Sequence, residues 1–71
     1  MKIYAIYYVD DCSRDYFMRR ADALNCGVEY IRQIGEEENC DPQEIESFVD
    51  EFLREGWADD LCALEEIEVR E

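Results

Sequence analysis

No histidine occurs in the sequence. A serine or cysteine nucleophile therefore has no imidazole to accept its proton, which removes the Ser-His and Cys-His couples. Zinc sites that combine imidazole with thiolate are removed with them. An all-thiolate site would have to recruit Cys12, Cys26, Cys40 and Cys62 from four separate segments, with no C-x-x-C pair among them. A disulfide framework belongs to an oxidising compartment, to which nothing in the chain points. The four cysteines accordingly read as free, mostly buried thiols, and neither a metal nor a cofactor is expected.

Other absences narrow the field further. No run of about 18 apolar residues is present, so no transmembrane helix is expected. The opening "MKIYAIYYVDD" lacks the apolar region and small-residue cleavage site of a signal peptide, and a cytoplasmic location is expected. No phosphate-binding loop, dinucleotide fingerprint or calcium loop appears. Acidic pairs such as Asp10-Asp11, Asp59-Asp60 and Glu65-Glu66 are plentiful, but on a strand adjacent residues point to opposite faces. A magnesium site built of carboxylates alone trails well behind other readings. The chain is not expected to be an enzyme.

Basic residues are scarce where the acids gather. Residues 1–35 carry five acids and five bases, whereas residues 36–71 carry fifteen acids against Arg54 and Arg70, so the second half holds the entire net charge of −13. Such a surface repels nucleic acid and anionic membrane and attracts basic surfaces. Arg14, Arg19, Arg20 and Arg32 offer a small basic spot, more simply explained by pairing with Asp15, Asp22 and Glu29. Solubility is the plain explanation of the acidity, but it does not account for the one-sided placement.

What is present describes one small domain over residues 1–71, apolar enough at 48% to fold. "KIYAIYYV" is a strand, apolar on both faces, so it is either covered on both sides or presents an interface. Tyr4, Ile6 and Tyr8 on one of those faces, or an exposed strand edge, are candidates for a homodimer contact. "DDCSRD" is turn chemistry. Beyond it, one possibility is a single helix from an Ser13 cap to about Gly35. The other is a strand "DYFMR" hairpinned onto the first, with a helix starting near Arg20, and the awkward place of Arg20 on the long helix's apolar stripe favours it. A strand "VEYIRQI" is a lesser alternative. A glycine at Gly27 inside a helix points to a close helix–helix contact.

The clearest element is "DPQEIESFVDEFLREGW". Asp41 caps it, Pro42 takes the first turn, and Glu44 completes a capping box. Ile45, Phe48, Val49, Phe52 and Leu53 form the buried stripe, Gly56 stops the helix, and Trp57 is placed to fold back on Phe52. "LCALEEIEVRE" is a closing strand. The fold class is α+β: a small antiparallel-type sheet of two or three strands against two helices, ordered ββααβ or βααβ.

The acidic helix "EEENCDPQEIESFVDEFLREGW" and the acidic end "ADDLCALEEIEVRE" resemble, in character, small acidic inhibitors carried by phages and mobile elements, including anti-CRISPR proteins and other DNA mimics. The likeness is one of class, covers about half the chain, and transfers no functional residue. It implies a non-enzymatic protein that imitates nucleic acid and docks on a basic surface of a partner, such as a nucleic-acid-binding enzyme, without itself binding nucleic acid or membrane. The candidate contacts are Glu36, Glu37, Glu38, Glu44, Asp50, Glu51, Glu55, Asp59 and Asp60. The alternative is a homodimeric accessory domain whose acidity only keeps it in solution.

Overall fold

The computed structural model describes residues 1–58 and 60–70. Six elements follow in the order β1 (Lys2–Tyr8), β2 (Ser13–Phe17), α1 (Arg20–Glu37), α2 (Pro42–Glu55), β3 (Trp57–Ala58) and β4 (Cys62–Glu68). The strands form one antiparallel sheet in the order β2-β1-β4-β3. The α+β class holds, but the sheet has four strands rather than two or three. The added strand is β3, whose two residues are too few to show a period. β2 begins at Ser13, two residues before the expected "DYFMR". The hairpin closes through residues 9–12, with Cys12 in the left-handed region at φ 53, a conformation that cysteine does not advertise.

Both helices pack on one face of the sheet. Ile6 of β1 and Cys62 of β4 meet Ala23 and Ile31 of α1, Val49 and Phe52 of α2, and Ala58 of β3 in a single core. Phe52, Ile6, Ile31 and Cys62 are its largest fully buried side chains. Each apolar side chain of this size taken out of water stabilises the fold by about 1.5–3 kcal/mol. Gly27 and Gly35 of α1 are buried where the helices touch: Gly27 abuts the tip of the Phe52 ring, and a methyl group on Gly35 would fall 2.5 Å from Ile45 Cγ1. The close contact expected from Gly27 is therefore made, by α2.

The helix ends follow local chemistry. Asp41 Oδ1 accepts from the Gln43 amide at 2.9 Å, and Gly56 closes α2 at φ 84. The cap bond reaches Gln43, and no return bond from Glu44 to the Asp41 amide is made among the described residues. α1 runs two residues past Gly35. Asn39, at φ 56, ends it: the Cys40 amide donates to the Gly35 carbonyl at 2.8 Å and the Asn39 amide to the Glu36 carbonyl at 3.2 Å.

The placement of several side chains departs from expectation. Tyr4, Ile6 and Tyr8 point toward the helices, where Ile6 is wholly buried and the Tyr8 ring lies 4.7 Å from Tyr30. They are core, not a free dimer face, because the helices cover that side of β1. Of the α2 stripe, Ile45, Val49 and Phe52 are buried, Phe48 is half-buried, and Leu53 is 49% exposed. Leu53 falls one position beyond the arc that two helices and a narrow sheet can cover. Trp57 does not fold back on Phe52; it pairs with Ala63 and stays 47% exposed. All four cysteines are free, but only Cys62 is buried, and Cys12 is exposed.

None of the described elements forms a layer on the opposite face of the sheet. Alternation puts Ile3, Ala5 and Tyr7 of β1 there, beside Arg14 and Tyr16 of β2, Ala63, Glu65 and Ile67 of β4, and Trp57 of β3. Arg14 crosses this face to Glu65, with Nε 2.5 Å from Oε1, and its guanidinium sits 4.8 Å from the centre of the Tyr7 ring.

Candidate functional site

Charge sorts by layer. The helical layer carries most of the unpaired acids, and the turn between α1 and α2 concentrates them. Glu36 and Glu37 end α1 and Glu38 caps it, with no basic residue in that last turn. Arg19 and Arg20 stand at its other end. A helix presents partial positive charge at its N-terminus and partial negative charge at its C-terminus. At the N-terminal end Asp22 in the first turn offsets Arg19 and Arg20 in part, but at the C-terminal end the acids oppose the dipole unrelieved, and each misplaced charge costs about 0.3–1 kcal/mol at low salt. α2 follows the favourable order, with Glu44 in its first turn and Arg54 in its last.

The fold gathers three of the candidate carboxylates around one shallow hollow. Glu38 from the end of α1, Glu44 from the first turn of α2 and Asp60 from the β3–β4 turn rim a cavity of ≈ 190 Å³ floored by Ile34, Phe48 and Leu61. None of the three pairs with a described base. Cys40, also on the wall, reports the local field: desolvation, then Glu44 and Glu38, pushes its thiol up from the ordinary value.

The other candidates lie around this centre. Glu51 and Glu55 continue the line of Glu44 along α2, at spacings of roughly 10 and 6 Å from one to the next. Glu51 is half-buried, and Glu55 is 3.5 Å from the Arg54 guanidinium. Glu36 lines a second hollow beside Arg32 and Glu46, which pair with each other. Glu37 accepts from Gln33 at 3.4 Å. Asp50 is turned to another side of α2, toward Ser47 and Arg54, and does not join the cluster. Asp59 lies outside the described residues.

Sequence reasoning found the acids but not their convergence, because the three rim residues come from separate segments. It also missed a polar cluster beneath the helices, where the Tyr8 hydroxyl donates to Asp15 Oδ2 at 2.7 Å and lies 3.1 Å from Cys26 Sγ. Burial, then Cys26 and Asp15, holds this phenol protonated far beyond its ordinary range. Among the described residues, no group of three or more cysteines and carboxylates has the arrangement of a metal site, and no helix is long and apolar enough to cross a membrane. No family model matches the chain, nor does any curated protein or solved structure.

Proposed function

We propose that this chain is a non-enzymatic interaction protein whose acidic helical layer docks on a basic protein surface, in the manner of a nucleic-acid mimic that occupies the groove of a nucleic-acid-binding enzyme. The observation that carries this is the charge order of α1. Acids kept at Glu36, Glu37 and Glu38, against the helix dipole, cost folding stability, and a requirement for solubility alone would be met as well by acids elsewhere. The hollow rimmed by Glu38, Glu44 and Asp60 adds a specific fit. Its apolar floor suits the aliphatic stem of a lysine or arginine, and its rim suits the cationic head.

Association driven this way is fast at low salt and falls as ionic strength rises. The test is binding to immobilised nucleic-acid-binding proteins with basic grooves, in competition with duplex DNA. A bound protein that salt releases, that DNA displaces, and that a Glu38→Lys, Asp60→Lys variant no longer holds supports the proposal. Equal binding by that folded variant at low salt overturns it.

A further inference from the structure

We propose that the uncovered face of the sheet is the seat of a second copy of this chain, in a twofold dimer with sheets face to face and helices outside. This surface is distinct from the acidic layer and stands or falls separately from it.

Its composition sets it apart from the rest of the molecule. Tyr16 is 62% exposed and Trp57 47% exposed, and Ile3, Tyr7 and Ile67 are half-buried around them. Among the described strand residues, the only charges directed to this face are Arg14 and Glu65, which pair with each other. A chain of net charge −13 thus keeps one face neutral and largely apolar. A basic partner has its attraction on the other layer. A polyanion would find here a single arginine already engaged by Glu65 and Tyr7.

A second copy satisfies the electrostatics that any other self-contact would violate. Stacked sheets lie about 10 Å apart. Each helix layer lies about one helix diameter further out, so the helix axes of the two copies are roughly 30 Å apart. Exposed charges are screened over about 8 Å at physiological ionic strength, so the two acidic layers scarcely interact. At the seam, each copy brings one cation and one anion already paired, and no uncompensated charge is buried.

The relief of the face also suits its own image. One row across the sheet runs Arg14, Tyr7, Ala63, Trp57, and the next runs Tyr16, Ala5, Glu65. Ala63 is therefore a dip between tall neighbours, whereas Ala5 is already fully shielded by the side chains around it. An aromatic ring of one copy can settle against Ala63 of the other. The twenty-one strand residues span about 330 Å² in projection. The still-exposed parts of Tyr16 and Trp57 project beyond this plane and bring the pair toward the lower limit of about 1,000 Å² for a specific interface. The dimer is accordingly a dissociable one.

Trp57 is the only tryptophan in the chain, and it reports directly on this face. Sedimentation equilibrium across the micromolar range should show a monomer–dimer equilibrium, with Trp57 emission shifting to the blue in step with mass. Added salt should leave the equilibrium intact, opposite to its effect on docking by the acidic layer. Tyr16→Glu, and separately Trp57→Lys, should give monomers with the far-ultraviolet circular dichroism of the parent. A monomer throughout with constant Trp57 emission overturns the proposal. So does a dimer whose Trp57 emission never moves, or one that survives both substitutions in folded protein.

Discussion

The tip of the Phe52 ring abuts Gly27, so that α2 reaches α1 where α1 has no side chain. A methyl group at Gly27 would fall 2.6 Å from Phe52 Cε2, and Phe52 is fully buried and has nowhere to move. Alanine favours a helix over glycine by about 1 kcal/mol, but overpacking a core costs about 1–3 kcal/mol. Gly27→Ala should therefore destabilise the domain, by about 1 kcal/mol net. Urea unfolding measures it, and adding Phe52→Leu, which trims the ring, should recover part of the loss.

Phe48 and Phe52 sit one turn apart on α2 and should respond differently. Phe52→Ala empties the centre of the core and should cost about 3–5 kcal/mol, enough to unfold much of so small a domain. Phe48 is half-buried at the rim of the acidic hollow, and Phe48→Ala should cost roughly half as much. Equal losses by thermal and urea unfolding would show that the hollow is closed in solution.

Glu38→Lys should move stability and binding in opposite directions. A cation at the end of α1 agrees with the helix dipole and should raise stability by about 0.3–1 kcal/mol at low salt. The same change removes one wall of the acidic hollow and should weaken docking on a basic partner. Glu51→Lys with Glu55→Lys gives a second probe on α2, expected to leave folding within about 0.5 kcal/mol per site. Denaturation curves and association rates at several salt concentrations separate the two effects.

Alkaline pH should weaken the fold. Burial, then Cys26, pushes the Cys62 thiol up from 9.0 to about 11. The folded state thus holds this proton where the unfolded chain releases it. Stability from this group is complete below about pH 9 and is lost as pH rises toward 11. The Tyr8 phenol, also held protonated by burial, adds to the loss above its ordinary value of 10.0. Cys62→Ala should flatten the fall in unfolding free energy between pH 9 and 11. In the native protein, iodoacetamide should reach exposed Cys12 well before Cys62, as peptide mass spectrometry would record.

How much of this was legible depended on whether local signals agreed. In α2 they did: Asp41, Pro42 and Gly56 each mark a boundary, and the helix runs between them as read. In β1 they did not. With Ile3, Ala5 and Tyr7 on one face and Tyr4, Ile6 and Tyr8 on the other, period-two alternation carries no sign of which side is core. That choice is made by the helices, through Ile6, and it puts Tyr4, Ile6 and Tyr8 on the core side. β3 carries no local signal in two residues. The acids of the hollow were visible one by one, but Glu38, Glu44 and Asp60 meet only through the α1–α2 turn and the return of β4 beside β1. Gly27 signalled a close helix contact by itself, but its partner Phe52, and the contact of Gly35 with Ile45, were set by the packing of α2 on α1.

The neighbouring central strands β1 and β4 are antiparallel, and the Val69 amide donates to the Met1 carbonyl at 2.8 Å beside the Lys2–Glu68 pair. Tension applied through these two positions would load the rungs of the ladder one after another, from Glu68 back to Cys62, rather than all at once. Ladders opened in this way yield at low force. An unfolding machine that pulls on the chain beyond residue 70 would therefore draw β4 from the middle of the sheet first. That step strips the cover from Ile6 and frees β3, so the whole sheet would give way behind a single strand.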